Sequence, residues 1–117
     1  MAPLSSRNKR IARRFERKAV QLYGALFEPI SLTPLATLTT TELSLNGMAF
    51  VTQVTDIQIE QVLTVLFRLE DDRRTVMQEE IIVKTIQADG TIGATFADQY
   101  QYNFDLDFYL APTSDNL

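Results

Sequence analysis

The chain contains no cysteine and no histidine. The first absence excludes a disulfide framework and thiolate metal sites. The second removes the commonest general base and the commonest zinc ligand, and with them every triad built on imidazole. Catalysis would have to rest on carboxylates, lysines or tyrosines alone, and no nucleophile–base pair stands out among them. Neither an enzyme nor a metal site is expected. Long apolar runs are missing as well. None reaches the ~18 residues of a membrane span, and the basic N-terminus is not followed by the apolar stretch of a secretory signal. No transmembrane segment is expected.

What is present is one domain's worth of chain, 117 residues with an ordinary apolar fraction of 45%. Its net charge of −4 conceals an asymmetry. Residues 1–18 hold Arg7, Lys9, Arg10, Arg13, Arg14, Arg17 and Lys18 against Glu16 alone, a balance of +6, and the other 99 residues carry −10. A basic arm on an acidic, solubilising body meets an anionic partner at one end.

The apolar pattern predicts strands at short spacing. Val20 and Leu22 alternate with polar neighbours, Ala36–Glu42 is rich in threonine, and Met48–Val54 and Ile59–Leu69 follow. Leu43–Gly47 is expected to turn at Asn46–Gly47, and Asp71–Arg74 to turn before Val76–Ile86. Ala88-Asp89-Gly90 then reads as a hairpin leading into Thr91–Phe96. About six strands with no room for a crossover helix predict a mainly β fold, a small six-stranded antiparallel barrel. Within the apolar segments Glu79-Glu80 reads as a solvated or edge pair. The end is ambiguous. Tyr100, Tyr102, Phe104, Leu106 and Phe108 alternate as in a strand, whereas Tyr102, Leu106, Tyr109 and Leu110 keep helical spacing, so a short C-terminal helix competes with a strand. The expected division is a flexible basic arm over residues 1–12, the barrel over 13–112 and a tail over 113–117.

Two features carry chemistry. Arg13 and Arg17, four apart, can converge on one anion, and so can Arg10 and Arg14; guanidinium forks bind phosphate oxygens bidentately and stack on flat π-systems. The same segment also has Ile11, Phe15, Ala19, Leu22 and Leu26 at helical spacing, as in a basic amphipathic helix. The second feature is Glu42-Leu43-Ser44-Leu45-Asn46-Gly47 between two strands. Gly47 permits positive φ or close backbone approach. A carboxylate beside a serine hydroxyl can hold the paired N–H donors of a guanine edge, with Asn46 a further polar candidate.

Taken together, the arm and the loop resemble the PilZ family. Arg13-Arg14-Phe15-Glu16-Arg17 matches its Arg-x-x-x-Arg, Glu42 to Gly47 its Asp/Asn-x-Ser-x-x-Gly, and Ile92-Gly93-Ala94-Thr95-Phe96 its late Gly-x-x-Phe strand. Glu42 departs from the pattern by one methylene. The resemblance implies a PilZ-like barrel, no catalysis, and binding of the bacterial second messenger cyclic di-GMP as ligand rather than cofactor. Arg13 and Arg17 would grip phosphate and stack on guanine, Glu42 and Ser44 would hold a guanine edge, and Gly47 would admit the backbone. It further implies a cytoplasmic setting and an effector protein, or a fused or membrane-associated glycosyltransferase or motility component, as partner. Two other readings are a degenerate PilZ-type domain working by protein contacts alone and a small barrel binding single-stranded nucleic acid. Nucleic acid is the less favoured partner, because the aromatic residues cluster near the acidic C-terminal segment and away from the arm.

Overall fold

The computed structural model describes residues 17–98 and 104–111. Six strands make up most of it: β1 Lys18–Phe27, β2 Pro34–Leu43, β3 Gly47–Thr52, β4 Val62–Arg68, β5 Val76–Ile86 and β6 Ile92–Phe96. A short helix follows, α1 Phe104–Leu110. The strands close into an antiparallel barrel in the order β1-β2-β3-β6-β5-β4. The six-stranded barrel expected from the apolar pattern is the fold observed.

Alternation fills the barrel. Leu22 and Leu26 of β1, Met48 and Phe50 of β3, and Leu63, Val65 and Phe67 of β4 point inward and are almost wholly buried. Met77, Ile81 and Val83 of β5 and Ile92 and Phe96 of β6 complete the core. Each fully buried large side chain contributes about 1.5–3 kcal/mol relative to exposure. Closure brings backbones so near that side chains are excluded at two points. A Cβ on Gly24 would lie 2.1 Å from the Leu66 carbonyl oxygen, and one on Gly47 would lie 2.2 Å from that of Ala94.

The strands and turns are where the sequence places them, to within a few residues. The Lys18–Phe27 strand excludes the amphipathic helix over Ala19, Leu22 and Leu26. Phe104–Leu110 is a helix, and Tyr100 and Tyr102 lie outside the described residues. Leu106 is 1% exposed while Phe108 is 75% exposed, a difference that two residues on one face of a strand would not show. The reading of Glu79-Glu80 as a solvated or edge pair holds for Glu80, which is exposed, and β5 pairs with β6 only from Ile81 onward. Glu79 lies opposite Val65 and is half-buried on the core-facing side of the strand. Of the expected segments, the arm over residues 1–12 and the tail over 113–117 lie outside the described residues, as do residues 13–16 and 112 at the two ends of the expected domain.

Because the strands alternate in direction, the connections sort to two ends. The β2–β3 turn, the β4–β5 turn, Arg17 and α1 lie at one end. The β1–β2 turn, the β3–β4 connection and the β5–β6 turn lie at the other.

Candidate functional site

The first end carries Arg17 and the Glu42–Gly47 loop. Arg17 immediately precedes β1 and Glu42 is the penultimate residue of β2, and the two strands pair with Ala19 opposite Glu42 and Lys18 opposite Leu43. That register brings the Arg17 guanidinium Nη1 to 3.2 Å from Glu42 Oε1, across 25 residues of sequence. Both side chains are largely open to water, at 61% and 46% exposure.

A β-bulge aims Glu42 outward. Leu38 and Thr40 face the core, so strict alternation would turn Glu42 inward and Leu43 outward. Instead the pairing of β2 with β3 skips from Thr40↔Phe50 to Glu42↔Ala49, leaving Thr41 as the extra residue. Leu43 thereby recovers the core, with no exposed surface, and Glu42 faces solvent beside Arg17. Bulges next to functional sites commonly re-aim one side chain in this way. The threonine-rich run contains no signal of it.

The turn that follows is tightly tied. The Ser44 amide donates to the Gly47 carbonyl at 3.0 Å, and the Phe96 amide donates to the Asn46 carbonyl at 2.9 Å. The Ser44 hydroxyl donates to Asn46 Oδ1 at 2.6 Å and lies 3.3 Å from the Gly47 carbonyl oxygen. Ser44 is 3% exposed, so its hydroxyl works within the loop and sets its shape. Gly47 meets the requirement for close approach against β6, where it lies opposite Thr95. Arg10, Arg13 and Arg14 lie outside the described residues.

The structure adds residues that the motif reading did not single out. Lys18 donates to the Tyr109 carbonyl at 3.3 Å, and its ammonium lies 4.5 Å from the centre of the Tyr109 ring. Arg73 in the β4–β5 turn pairs with Asp105 at 3.2 Å. Together with buried Leu106, these contacts fasten α1 across the end of the barrel. Burial, with the charge of Glu70 as a second cause, pushes the Tyr109 phenol above its ordinary pKa. Consecutive residues Arg17 and Lys18 thus join the β2–β3 loop to the helix.

Beside this junction the barrel wall opens. β1 pairs with β4 only over Gly24–Phe27, and its earlier residues diverge. The gap is an open groove of about 610 Å³ lined by Gln21, Tyr23, Arg68, Glu70 and Arg74 among others. Of the six basic side chains among the described residues, only Lys84 is at the far end. Arg17, Lys18, Arg68, Arg73 and Arg74 thus share one end of the molecule with Glu42, Glu70, Asp71, Asp72 and Asp105, and Arg17 and Arg73 are paired with two of these carboxylates. No group of three or more potential metal-ligating side chains is found among the described residues.

No protein-family model matches the sequence, and no curated protein is similar to it. Solved structures share its fold. The Bacillus subtilis inhibitor of motility (MotI/DgrA) matches with a TM-score of 0.66 at 17% identity, over 86% of this chain and 50% of its own. The chain therefore spans about half the length of that protein. The PilZ domain of CeSA from a cellulose-synthesising bacterium matches with a TM-score of 0.57 at 11% identity, over 81% of this chain and 90% of its own. At such identities the shared property is the fold, and the fold of this chain is PilZ-like.

Proposed function

We propose that this chain is a cyclic di-GMP receptor module, a binding domain and not an enzyme. The observation that supports it most is the meeting of Arg17 with Glu42 at 3.2 Å on a PilZ-like barrel. The last residue of the Arg-x-x-x-Arg segment stands against the first residue of the Glu-x-Ser-x-x-Gly loop. A ligand carrying both phosphate and guanine needs those two chemistries side by side. Guanidinium answers phosphate and the flat base, and the carboxylate answers the guanine N–H donors. Ser44, Asn46 and Gly47 act by holding the loop in place, and Arg13, with Arg10 and Arg14 as the alternative pair, supplies the remaining cations from the arm.

On this reading the ligand displaces Glu42 from Arg17 and gathers the arm onto the barrel, changing the surface offered to a partner. The partner is an effector protein or a cytoplasm-facing motility or glycosyltransferase component. No helix among the described residues is long and apolar enough to cross a membrane. Calorimetric titration with cyclic di-GMP tests the reading directly. Saturable binding that is weakened by Arg17→Ala is expected.

A second reading has its own observation. Glu42 is engaged by Arg17, and a carboxylate one methylene longer than the family residue keeps that contact. A PilZ-like domain in which this pair stays closed would act by protein contacts alone. Absence of heat at high micromolar cyclic di-GMP, with the barrel folded, would favour it.

A further inference from the structure

The opposite end of the barrel holds an exposed apolar turn in a disfavoured backbone conformation. In the β1–β2 connection, Ile30 has φ 68° and Leu32 has φ 56°. Left-handed backbone is disfavoured for any residue with a Cβ, and a β-branched residue there is a true outlier. Glycine or asparagine is the ordinary occupant of such positions. Yet Ile30 is 99% exposed and gains nothing from burial, and Leu32 is 46% exposed.

The turn is nonetheless held firmly. The Glu28 amide donates to the Thr33 carbonyl at 2.9 Å, the Leu32 amide to the Glu28 carbonyl at 3.1 Å, and the Ser31 amide to the Pro29 carbonyl at 2.7 Å. The hydroxyls of Ser31 and Thr33 lie 3.0 Å apart. A pre-organised turn that presents two large apolar side chains to water stores strain where a partner can use it.

Other features of this end agree. Ile59, in the β3–β4 connection, is 51% exposed, and Ile86, at the end of β5, is 44% exposed. The connections of the same end also carry Glu28, Asp56, Glu60 and Asp89, all exposed. Lys84, the one cation at this end among the described residues, is already paired with Glu60 at 2.9 Å. Exposed apolar side chains at an end rich in exposed carboxylates have the composition of a docking surface.

We propose that this end docks a protein partner whose complementary surface is an apolar cleft rimmed by lysine or arginine, with Ile30 and Leu32 as the anchors. The charge decides the class of occupant. An anionic bilayer repels the carboxylates, whereas a basic-rimmed cleft is attracted by them and steered onto the anchors. The inference does not depend on the nucleotide reading, which concerns the other end.

The test is selection of a displayed library of short random peptides on the full chain without nucleotide, followed by anisotropy titrations of the enriched sequences. Enriched peptides are expected to combine large apolar residues with lysine or arginine, to weaken with salt, and to bind Ile30→Gly at least tenfold more weakly. Glycine accepts φ 68° without strain, so the variant stays folded, and its Tm is expected to match or exceed the wild type by up to about 5 °C. Cyclic di-GMP titration of the same variant is expected to be unchanged, which keeps the two proposals separable. Several results overturn the proposal: no enrichment, peptides indifferent to Ile30→Gly, sedimentation of the wild type with phosphatidylglycerol vesicles, or self-association that Ile30→Gly abolishes.

Discussion

Arg17 and Glu42, 25 residues apart in the chain, form an ion pair of 3.2 Å on the barrel surface. An exposed pair of this kind stabilises by only about 0–1 kcal/mol, so it is a weak fastening that an anionic ligand can replace. Arg17→Ala is therefore expected to shift unfolding free energy by no more than ~0.5 kcal/mol. Loss of a charge-assisted phosphate contact is expected to weaken cyclic di-GMP binding by roughly ten- to a hundredfold, about 1.5–3 kcal/mol. Denaturant melts and calorimetry on the same preparation separate the two effects. Unchanged affinity would remove Arg17 from the site.

Ser44→Ala is expected to act on the loop first. Its hydroxyl donates to Asn46 Oδ1 at 2.6 Å in a buried setting, and truncation leaves that oxygen without its donor. The cost is expected at about 1–2 kcal/mol of stability. Hydrogen exchange at residues 44–47 is expected to quicken, and ligand affinity to fall as the loop loses its shape. A variant with wild-type exchange and lost binding would instead put Ser44 in direct contact with ligand.

Gly47→Ala separates barrel closure from ligand approach. An added Cβ would stand 2.2 Å from the Ala94 carbonyl oxygen, a backbone atom that moves only with β6. Destabilisation of about 1–3 kcal/mol or more is expected, comparable with Gly24→Ala, which meets the Leu66 carbonyl oxygen at 2.1 Å. Gly24 lies in the β1–β4 pairing, away from the β2–β3 turn, and so serves as the control. Were Gly47→Ala to melt like the wild type while failing to bind nucleotide, the glycine would be serving the ligand and not the barrel.

How much of this was legible in the sequence depends on what each residue's pattern encodes. The strands were, because β-branched and aromatic residues fill Val62–Phe67 and Val76–Ile86, and turn residues at Asp71–Arg74 and Asp89–Gly90 punctuate them. The bulge at Thr41 was not, since a run of threonines reads the same in either parity. The outward aim of Glu42 and its pairing with Arg17 depend on that bulge and on the β1–β2 register, neither of which is written locally. The last element carried two periods at once, and only the burial of Leu106 beside exposed Phe108 selects the helix. Strain at Ile30 is invisible to composition altogether, because an isoleucine between Pro29 and Ser31 gives no hint of positive φ.

Glu79 is the residue whose placement makes stability depend on pH. It sits opposite fully buried Val65, on the side of β5 that also presents Met77 and Ile81. Burial raises its carboxyl pKa, and the negative charge of Asp98 raises it further. A folded-state pKa above the unfolded one means that the native chain holds the proton more tightly. Its favourable contribution is complete below the unfolded carboxyl pKa and is lost as pH rises through the raised folded value. At neutral pH the ionised side chain therefore opposes folding, by an amount that solvent screening of a half-exposed group keeps small. Glu79→Gln keeps the shape and removes the charge. Its Tm is expected to exceed the wild type by roughly 1–4 °C near neutral pH, with the advantage shrinking to nothing in acid. Thermal melts in steps from about pH 4 to about pH 8 read this out. An offset that is independent of pH, or a variant less stable at neutral pH, would show that the Glu79 carboxylate is satisfied in the native barrel.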